Sequence, residues 1–383
     1  MDCVILNRNY PPGAGITGNS ANELAAYLIS AGIDVQVVTV GGEYQGGGAV
    51  PVAVSGKVHT LGHLYNGKNK FIRLFSSLYE GWKMSRKAVA LGVGPIICMT
   101  DPPLVNFWVA LAAKRRAIPW IYWSMDLYPE AFASGKLVTR SNPVYGYLKR
   151  RLLQSPPKGL VALGPNQARF INGEYDREIA TVVLPCGISR SDEAVSAPEW
   201  ATGDDRIILG YAGNLGEAHS SEFVRAVINT IDPARHRFIL SVYGSKAPGI
   251  IEFARGREGV VIVDSVAREH LTFMDVHLAT LLPEWDYVCA PSKAVSAVCE
   301  GAAVFLCCSE ESDNWALLRD AAWRIAVDDD IDRSVERFLA HLDREAIAAK
   351  RAQARALATH LLSRKEQALA TIAQMVAVNQ IGK

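Results

Sequence analysis

The chain has 383 residues, more than one ordinary hydrophobic core accommodates, so two domains are the first expectation. Apolar residues make up 49% and charged residues 21%, which excludes a disordered chain. The formal net charge of +1 excludes a global attraction to nucleic acid, so any polyanion contact must be local. In chain order, CVIL (3–6) reads as a strand running into a polar, Gly-rich loop, NRNYPPGAGITGN (7–19). A helix over 20–32 and a strand, DVQVVTV (34–40), complete a βαβ unit. GAGITG, with Gly13, Gly15 and Gly18, matches the dinucleotide-loop spacing literally, but no acidic residue ends the second strand, so the match is weak. Strands follow at PIICMT (95–100), PWIYWS (119–124), GLVALG (159–164) and TVVLPCGI (181–188), with helices between them.

The polar, turn-rich stretch 189–205 reads as a linker. The alternation then restarts with RIILGYAG (206–213), a helix over 219–231, RFILSVYG (237–244), VVIVDSV (260–266), HLATLLP (277–283) and AVFLCC (303–308). The tail from about 331 to 378 reads as helical. The expected fold class is α/β, with two doubly wound parallel sheets whose ligands sit beyond the carboxyl ends of the strands.

Four strand ends carry candidate chemistry. GYAGNLGEAHSSEF (210–223) leads from a strand through Gly213 and Asn214 into a helix, where backbone N–H groups favour an anion. His219 there is either a ligand contact or a polar helix start. VYGSKAPG (242–249) places Ser245 and Lys246 at the next strand end, and APSKAVSAVCEG (290–301) places Ser292 and Lys293 at a helix start. Each alone fits an ordinary turn or a solvated lysine; together they suggest a common anion such as a diphosphate. WSMDLYPEAF (123–132) sets Asp126 directly after an apolar strand, with Glu130 four residues on. A carboxylate there either binds sugar hydroxyls and acts as a base, or caps the next element.

These segments, in this order, resemble the GT-B glycosyltransferases of family 4, particularly the bacterial branch with a PSK motif that builds surface polysaccharides. The resemblance rests on YPPGAGITGNSANELAAYLISAGIDVQVVT, MDLYPEAF, LPCGIS, GYAGNLGEAHS, the VAREHL segment and PSKAVSAVCEG. It implies two facing Rossmann-like domains with C-terminal helices returning to the first. The expected boundaries are an acceptor-binding domain over 1–189, a linker over 190–205, a donor-binding domain over 206–360 and a returning helix over 361–383. The implied activity is hexosyl transfer from a nucleotide-diphosphate sugar to a hydroxyl acceptor, either a lipid-linked glycan intermediate or a small natural product. Transfer with retention and with no metal or other cofactor is implied too, so lysines and helix N-termini must neutralise the leaving diphosphate.

Asp126 is then the candidate catalytic residue. Gly15, Ile16, Gly213, Asn214, Ser245, Lys246, Ser292, Lys293 and Glu300 are the candidate donor-binding residues, and Thr17, Glu130 and His219 the acceptor-binding ones. Asp328-Asp329-Asp330 lies in a polar turn and is not read as a metal site. The chain departs from the family where Val288 and Ser296 stand at positions of expected glutamates. That departure keeps two alternatives open: a catalytically silent nucleotide-sugar-binding or partner protein, and a GT-B sugar-nucleotide epimerase.

NKFIRLFSSLYEGWKMSRK (69–87) lines up Phe71, Ile72, Phe75, Leu78, Tyr79 and Trp82 on one helical stripe, with Lys70, Arg73, Lys83, Arg86 and Lys87 around it. YLKRRLL (147–153) adds a second basic-apolar patch. Both read either as core with solvated cations or as a contact with an anionic membrane. Seven scattered cysteines without a C-x-x-C pair fit a reducing compartment. The N-terminus carries charge too early for a signal peptide, and no apolar stretch reaches about 18 residues. The expected location is cytoplasmic, peripheral on the inner face of the membrane if the basic patches bind it.

Overall fold

Apolar runs separated by amphipathic segments fold here as strands that alternate with helices. The computed structural model describes residues 2–12, 15–41, 53–65, 70–191, 195–201, 203–328 and 330–380, with backbone alone at 70, 71 and 73. The sequence readings on Gly13, Asp329, residues 192–194 and 202, and the side chains of Lys70, Phe71 and Arg73 lie outside the described residues. Contacts divide the chain into two units: Met1–Cys186 with Glu366–Lys383, and Gly187–Lys365.

In unit 1 the elements are β1 (Asp2–Leu6), α1 (Ile16–Ser30), β2 (Asp34–Val40), β3 (Lys57–Leu61), α2 (Lys70–Leu91), β4 (Ile96–Cys98), α3 (Val105–Arg116), β5 (Trp120–Ser124), α4 (Glu130–Ser134), α5 (Pro143–Leu153), β6 (Gly159–Ala162), α6 (Pro165–Glu174) and β7 (Thr181–Val183). The strands form one parallel sheet in the order β3-β2-β1-β4-β5-β6-β7. A parallel strand covered on both faces must be apolar on both, and β1, β4 and β5 are continuous apolar or aromatic runs. Trp120, Tyr122 and Trp123 of β5 are among the largest fully buried side chains. Helix starts follow local rules. The side chain of Asn142 accepts from Val144 N at 2.8 Å, ahead of Pro143 in the first turn of α5.

Unit 2 contains β8 (Ile207–Asn214), α7 (Ser221–Thr230), β9 (His236–Tyr243), α8 (Ala247–Ala254), β10 (Val260–Ile262), β11 (Val276–Thr280), α9 (Ser292–Cys299), β12 (Ala303–Cys307), α10 (Asp313–Leu318), β13 (Ala322–Ile325) and α11 (Ile331–His341). Its sheet, also parallel, runs β10-β9-β8-β11-β12-β13. Phe223, Phe238, Phe305 and Leu278 fill its main core, while Ile239, Leu271 and Met274 form a smaller cluster. Losing one such phenylalanine to alanine would cost about 3–5 kcal/mol.

Both sheets reverse strand order once, at β1/β4 in unit 1 and at β8/β11 in unit 2. Such a switch point opens a crevice at the carboxyl ends of the strands, where open α/β sheets take ligands. The last helix, α12 (Arg344–Val378), belongs to unit 2 up to Lys365 and to unit 1 from Glu366. Gly159 in β6 leaves room for it: a β-carbon there would stand 2.8 Å from Met375 Sδ. Ser189, where the stretch read as a linker begins, is held within unit 2 together with Gly187. Arg268 donates to the carbonyls of Gly187 and Ser189 at 2.5 and 2.8 Å.

Candidate functional site

In unit 2 the strand ends named from the sequence meet at the switch point. Lys293, in the first turn of α9, donates from Nζ to Tyr211 Oη at 2.7 Å and to the carbonyl of Asn214 at the end of β8. Its ammonium also lies 4.4 Å from the centre of the Tyr211 ring. Lys246, which precedes α8, donates to the carbonyls of Glu217 and His219 at 3.2 and 2.6 Å. Ser245 Oγ donates to Glu217 Oε1 at 2.8 Å. The His219 ring is buried, and its Nδ1 donates to the carbonyl of Thr280 at the end of β11, 2.6 Å away. Hydrogen bonds thus tie the ends of β8 and β11 and the starts of α8 and α9 into one cluster.

The cluster brings two lysines to these strand ends. Neither lysine is paired with a carboxylate among the described residues. Loss of hydration lowers the Lys293 ammonium to about 7. Burial first, then the charges of Lys293 and Lys246, lower His219 to about 3, so its imidazole is neutral and Nε2 is left as the acceptor. The start of α9 adds backbone N–H groups that no side chain caps. Gly244 makes the close packing possible. Its φ is +109°, and a β-carbon there would stand 2.2 Å from Asn214 Oδ1.

Other readings of unit 2 fall elsewhere. Ser292 opens α9 beside Lys293. Glu300 caps the opposite end of α9, accepting from Ser191 N at 3.2 Å and Arg268 Nε at 3.1 Å, so it anchors residues 187–191 instead of joining the lysines. Ser296 is buried with Oγ 3.4 Å from the carbonyl of Gly187. A β-carbon on Gly187 (φ +89°) would come within 2.7 Å of that hydroxyl, so no room is left there for a longer side chain at 296 in the same direction. Val288 is buried. Tyr211 and Arg268, which position Lys293 and Glu300, carry no local sequence signal.

In unit 1, Gly15 precedes α1 in extended conformation and Ile16 and Thr17 begin that helix, whose start has no side-chain cap. Asp126 follows β5, its N–H donating to Thr100 Oγ1 at 2.8 Å. Its side chain reaches solvent although protein crowds round it; desolvation first, then the charge of Asp101, push its carboxyl up to about 6. Sequence reading missed Asp101, held by Asn9 Nδ2 at 2.7 Å and by Arg8 at 3.7 Å. Arg8 in turn bonds buried Glu80 of α2. Glu130 is buried at the start of α4 and ion-paired with Lys149 of α5, which also holds Glu174. The acceptor-binding reading of Glu130 therefore meets an internal ion pair; of the other residues read as acceptor-binding, His219 belongs to unit 2 and Thr17 to unit 1.

Three residues of the stripe on α2 face outward, while Leu78 and Trp82 are half-buried. Ile72, Phe75 and Tyr79 are exposed, Phe75 by 70%, while Ser76, Ser77, Glu80 and Ser85 are buried beneath. The inner face buries Met84 and Ala88 as well, and its polar residues cover the network of Arg8 and His63, the latter 2.7 Å from Glu80. Lys83 and Arg86 lie over the Tyr79 and Trp82 rings at 5.9 and 4.9 Å. On α5, Val144 and Tyr147 are exposed and Arg151 lies 5.4 Å from the Tyr147 ring. No described helix is long and apolar enough to cross a membrane.

No protein-family model matches the chain, and no curated protein matches its sequence. Solved structures match it closely in fold. A sucrose-phosphate synthase from Thermosynechococcus elongatus aligns at a TM-score of 0.68 with 14% identity, covering 99% of this chain and 98% of that one. WaaG, a glycosyltransferase involved in lipopolysaccharide biosynthesis, aligns at 0.67 with 13% identity, covering 98% and 99%. Arabidopsis thaliana UGT89C1 complexed with UDP-L-rhamnose aligns at 0.59 with 12% identity, covering 98% and 99%. With two parallel-sheet units and this likeness, the chain has the GT-B fold.

Proposed function

We propose that the chain is a glycosyltransferase that moves a sugar from a nucleotide-diphosphate sugar to a hydroxyl acceptor. The observation that carries this reading is Lys293 at the switch point of unit 2, a cation without a carboxylate, held by Tyr211 and Asn214 above an uncapped helix start. A diphosphate would replace the weak partners of Lys293 with charged oxygens, and charge-assisted bonds are about twice as strong as neutral ones. Lys246 and the N–H groups of Ser292 and Lys293 complete the neutralisation, which supports departure of the nucleoside diphosphate without a metal. Asn214, Ser245 and the neutral His219 line the same edge.

Unit 1 then takes the acceptor. Above about pH 6 Asp126 is a carboxylate that can orient an acceptor hydroxyl and receive its proton. In the retaining course the anomeric carbon–phosphate oxygen bond breaks and the new glycosidic bond forms on the same face of the sugar. The proton passes to Asp126 or to the leaving phosphate oxygen. The outward apolar stripe of α2, with its basic neighbours, supports docking on an anionic lipid surface, a lipid-linked acceptor and a place on the inner face of the membrane. A second reading, a silent nucleotide-sugar binder, is favoured by one observation: buried Ser296 packs on Gly187 where the family carries a glutamate.

A thermal-shift screen of nucleoside-diphosphate sugars tests the proposal, because a ligand that binds the native state raises the melting temperature. At least one donor should raise it in the wild type and fail to do so in Lys293→Ala. An equal rise in both proteins would remove Lys293 from the site.

A further inference from the structure

We infer that Asp101, anchored by Asn9 and Arg8 at the strand end beside β5, is a positioning residue that sets the charge state of Asp126. The two carboxylates follow adjacent parallel strands: β4 pairs with β5 in register Cys98↔Tyr122, and Thr100 Oγ1 accepts from the N–H of Asp126 at 2.8 Å. The same short segment, Thr100-Asp101, therefore fixes the backbone of Asp126 and carries the neighbouring charge.

Burial of Asp101 favours its neutral form, and two of its partners, Arg8 and Asn9, oppose that. Asn9 Nδ2 donates to its Oδ2 at 2.7 Å, and a donor aimed at a carboxylate favours the ionised form. Arg8 approaches Asp101 only to 3.7 Å, because its guanidinium is taken by Glu80 and by Ser77 Oγ at 3.1 Å. Glu80 is itself buried and ionised. Burial alone would raise its carboxyl, but the N–H of Leu64, Arg8 and His63 bring it below the usual range. Arg8 thus neutralises Glu80 first. Asp126 has no such donor on its carboxylate among the bonds found at the described residues; its one bond is through the backbone. Burial raises the carboxyl of Asp101 as well, and Glu80 adds to that while Arg8 and Asn9 oppose it.

The other titratable groups around Asp126 do not take over this role. Cys186, which follows β7, is a neutral thiol pushed up to about 12 by burial. Ser20 and Glu23 of α1 bear on that thiol. Of the acids, Asp101 is the one whose charge raises the Asp126 carboxyl, in addition to the larger effect of desolvation. The catalytic use of this coupling rests on the glycosyl-transfer reading; the coupling itself does not.

Carbon-13 NMR of aspartate-labelled full-length protein, with the Asp126 carboxyl assigned through Asp126→Asn, tests the inference without any substrate. The wild-type signal should titrate near pH 6. In Asp101→Asn, loss of the neighbouring charge should move that midpoint down by about half a unit or more. Asn9→Ala, which keeps both acids, should raise the Asp101 midpoint and lower that of Asp126. An Asp126 midpoint unmoved in Asp101→Asn, or in Asn9→Ala if Asp101→Asn does not fold, would overturn the inference. Neither outcome depends on whether the protein transfers sugar.

Discussion

The two units share a sheet design and differ in what stands at their ligand edges. Unit 2 gathers Lys246 and Lys293, neither paired with a carboxylate among the described residues, about a neutral histidine, with the Glu217 carboxylate held by Ser245. Unit 1 gathers acids, Asp101 and Asp126, whose nearby arginine is diverted to Glu80. The surfaces differ in parallel. Of the exposed large apolar residues among those described, Tyr243 and Ile262 belong to unit 2; the rest, including Ile72, Phe75 and Tyr147, belong to unit 1. One sheet design thus carries lysines at the strand ends of one unit and acids at those of the other. The proposed transfer reads the first as the donor edge and the second as the acceptor edge.

Breaking unit 1 from within should produce the largest effect. Lys149→Met leaves Glu130 buried without its cation, and loss of about 3 kcal/mol or more is expected in denaturant unfolding. Binding of nucleoside diphosphate by the fraction that remains folded should be unchanged, because the lesion lies in the other unit. Next in size, Lys293→Ala should weaken nucleoside-diphosphate binding by about tenfold to a hundredfold in calorimetry, the worth of a hydrogen bond to a charged group. The pH dependence sharpens the same assignment. Lys293 of the free protein loses its proton as pH rises through about 7, so affinity should be level below that value and fall above it, by up to about tenfold per unit. Lys293→Ala should flatten this slope.

Asp126→Asn should lower the transfer rate severalfold to tenfold and leave donor affinity intact, which separates the two edges kinetically. A loss of donor affinity in this variant would merge them. The smallest effect is at the surface. Ile72→Ser with Phe75→Ser should reduce co-sedimentation with phosphatidylserine-containing vesicles, with a change in unfolding free energy under about 0.5 kcal/mol, because both side chains are already exposed.

Central strands were legible in the sequence because burial on both faces writes them as apolar runs: CVIL, WIYWS and AVFLC became β1, β5 and β12. Two strands passed unread, β3 (KVHTL) and β13 (AWRI). Both are edge strands, partly exposed, and carry polar residues that blur the run. The α2 stripe was legible as a stripe but not in its direction, since nothing local shows that Glu80 must turn inward to meet Arg8, which lies 72 residues away in sequence. At the candidate site, Lys246 and Lys293 stood out as charges directly after apolar strands. Their setting depends on Tyr211 and on the Asn214 and His219 carbonyls, contacts made only when distant strand ends meet. The partners of Glu130 and Glu300 were hidden from the sequence for the same reason. Each glutamate reads as an available carboxylate, and each is committed to a cation remote in sequence, Lys149 or Arg268.

The central claim is that the lysine edge of unit 2 releases a nucleoside diphosphate from a sugar donor. Phosphorus NMR of the protein incubated with a series of nucleoside-diphosphate hexoses and a mixture of hydroxyl acceptors tests it most directly. The account predicts that free nucleoside diphosphate accumulates from at least one donor with the wild-type protein and not with Lys293→Ala. Donor resonances that stay intact with every hexose, or that decay equally in both proteins, would contradict it.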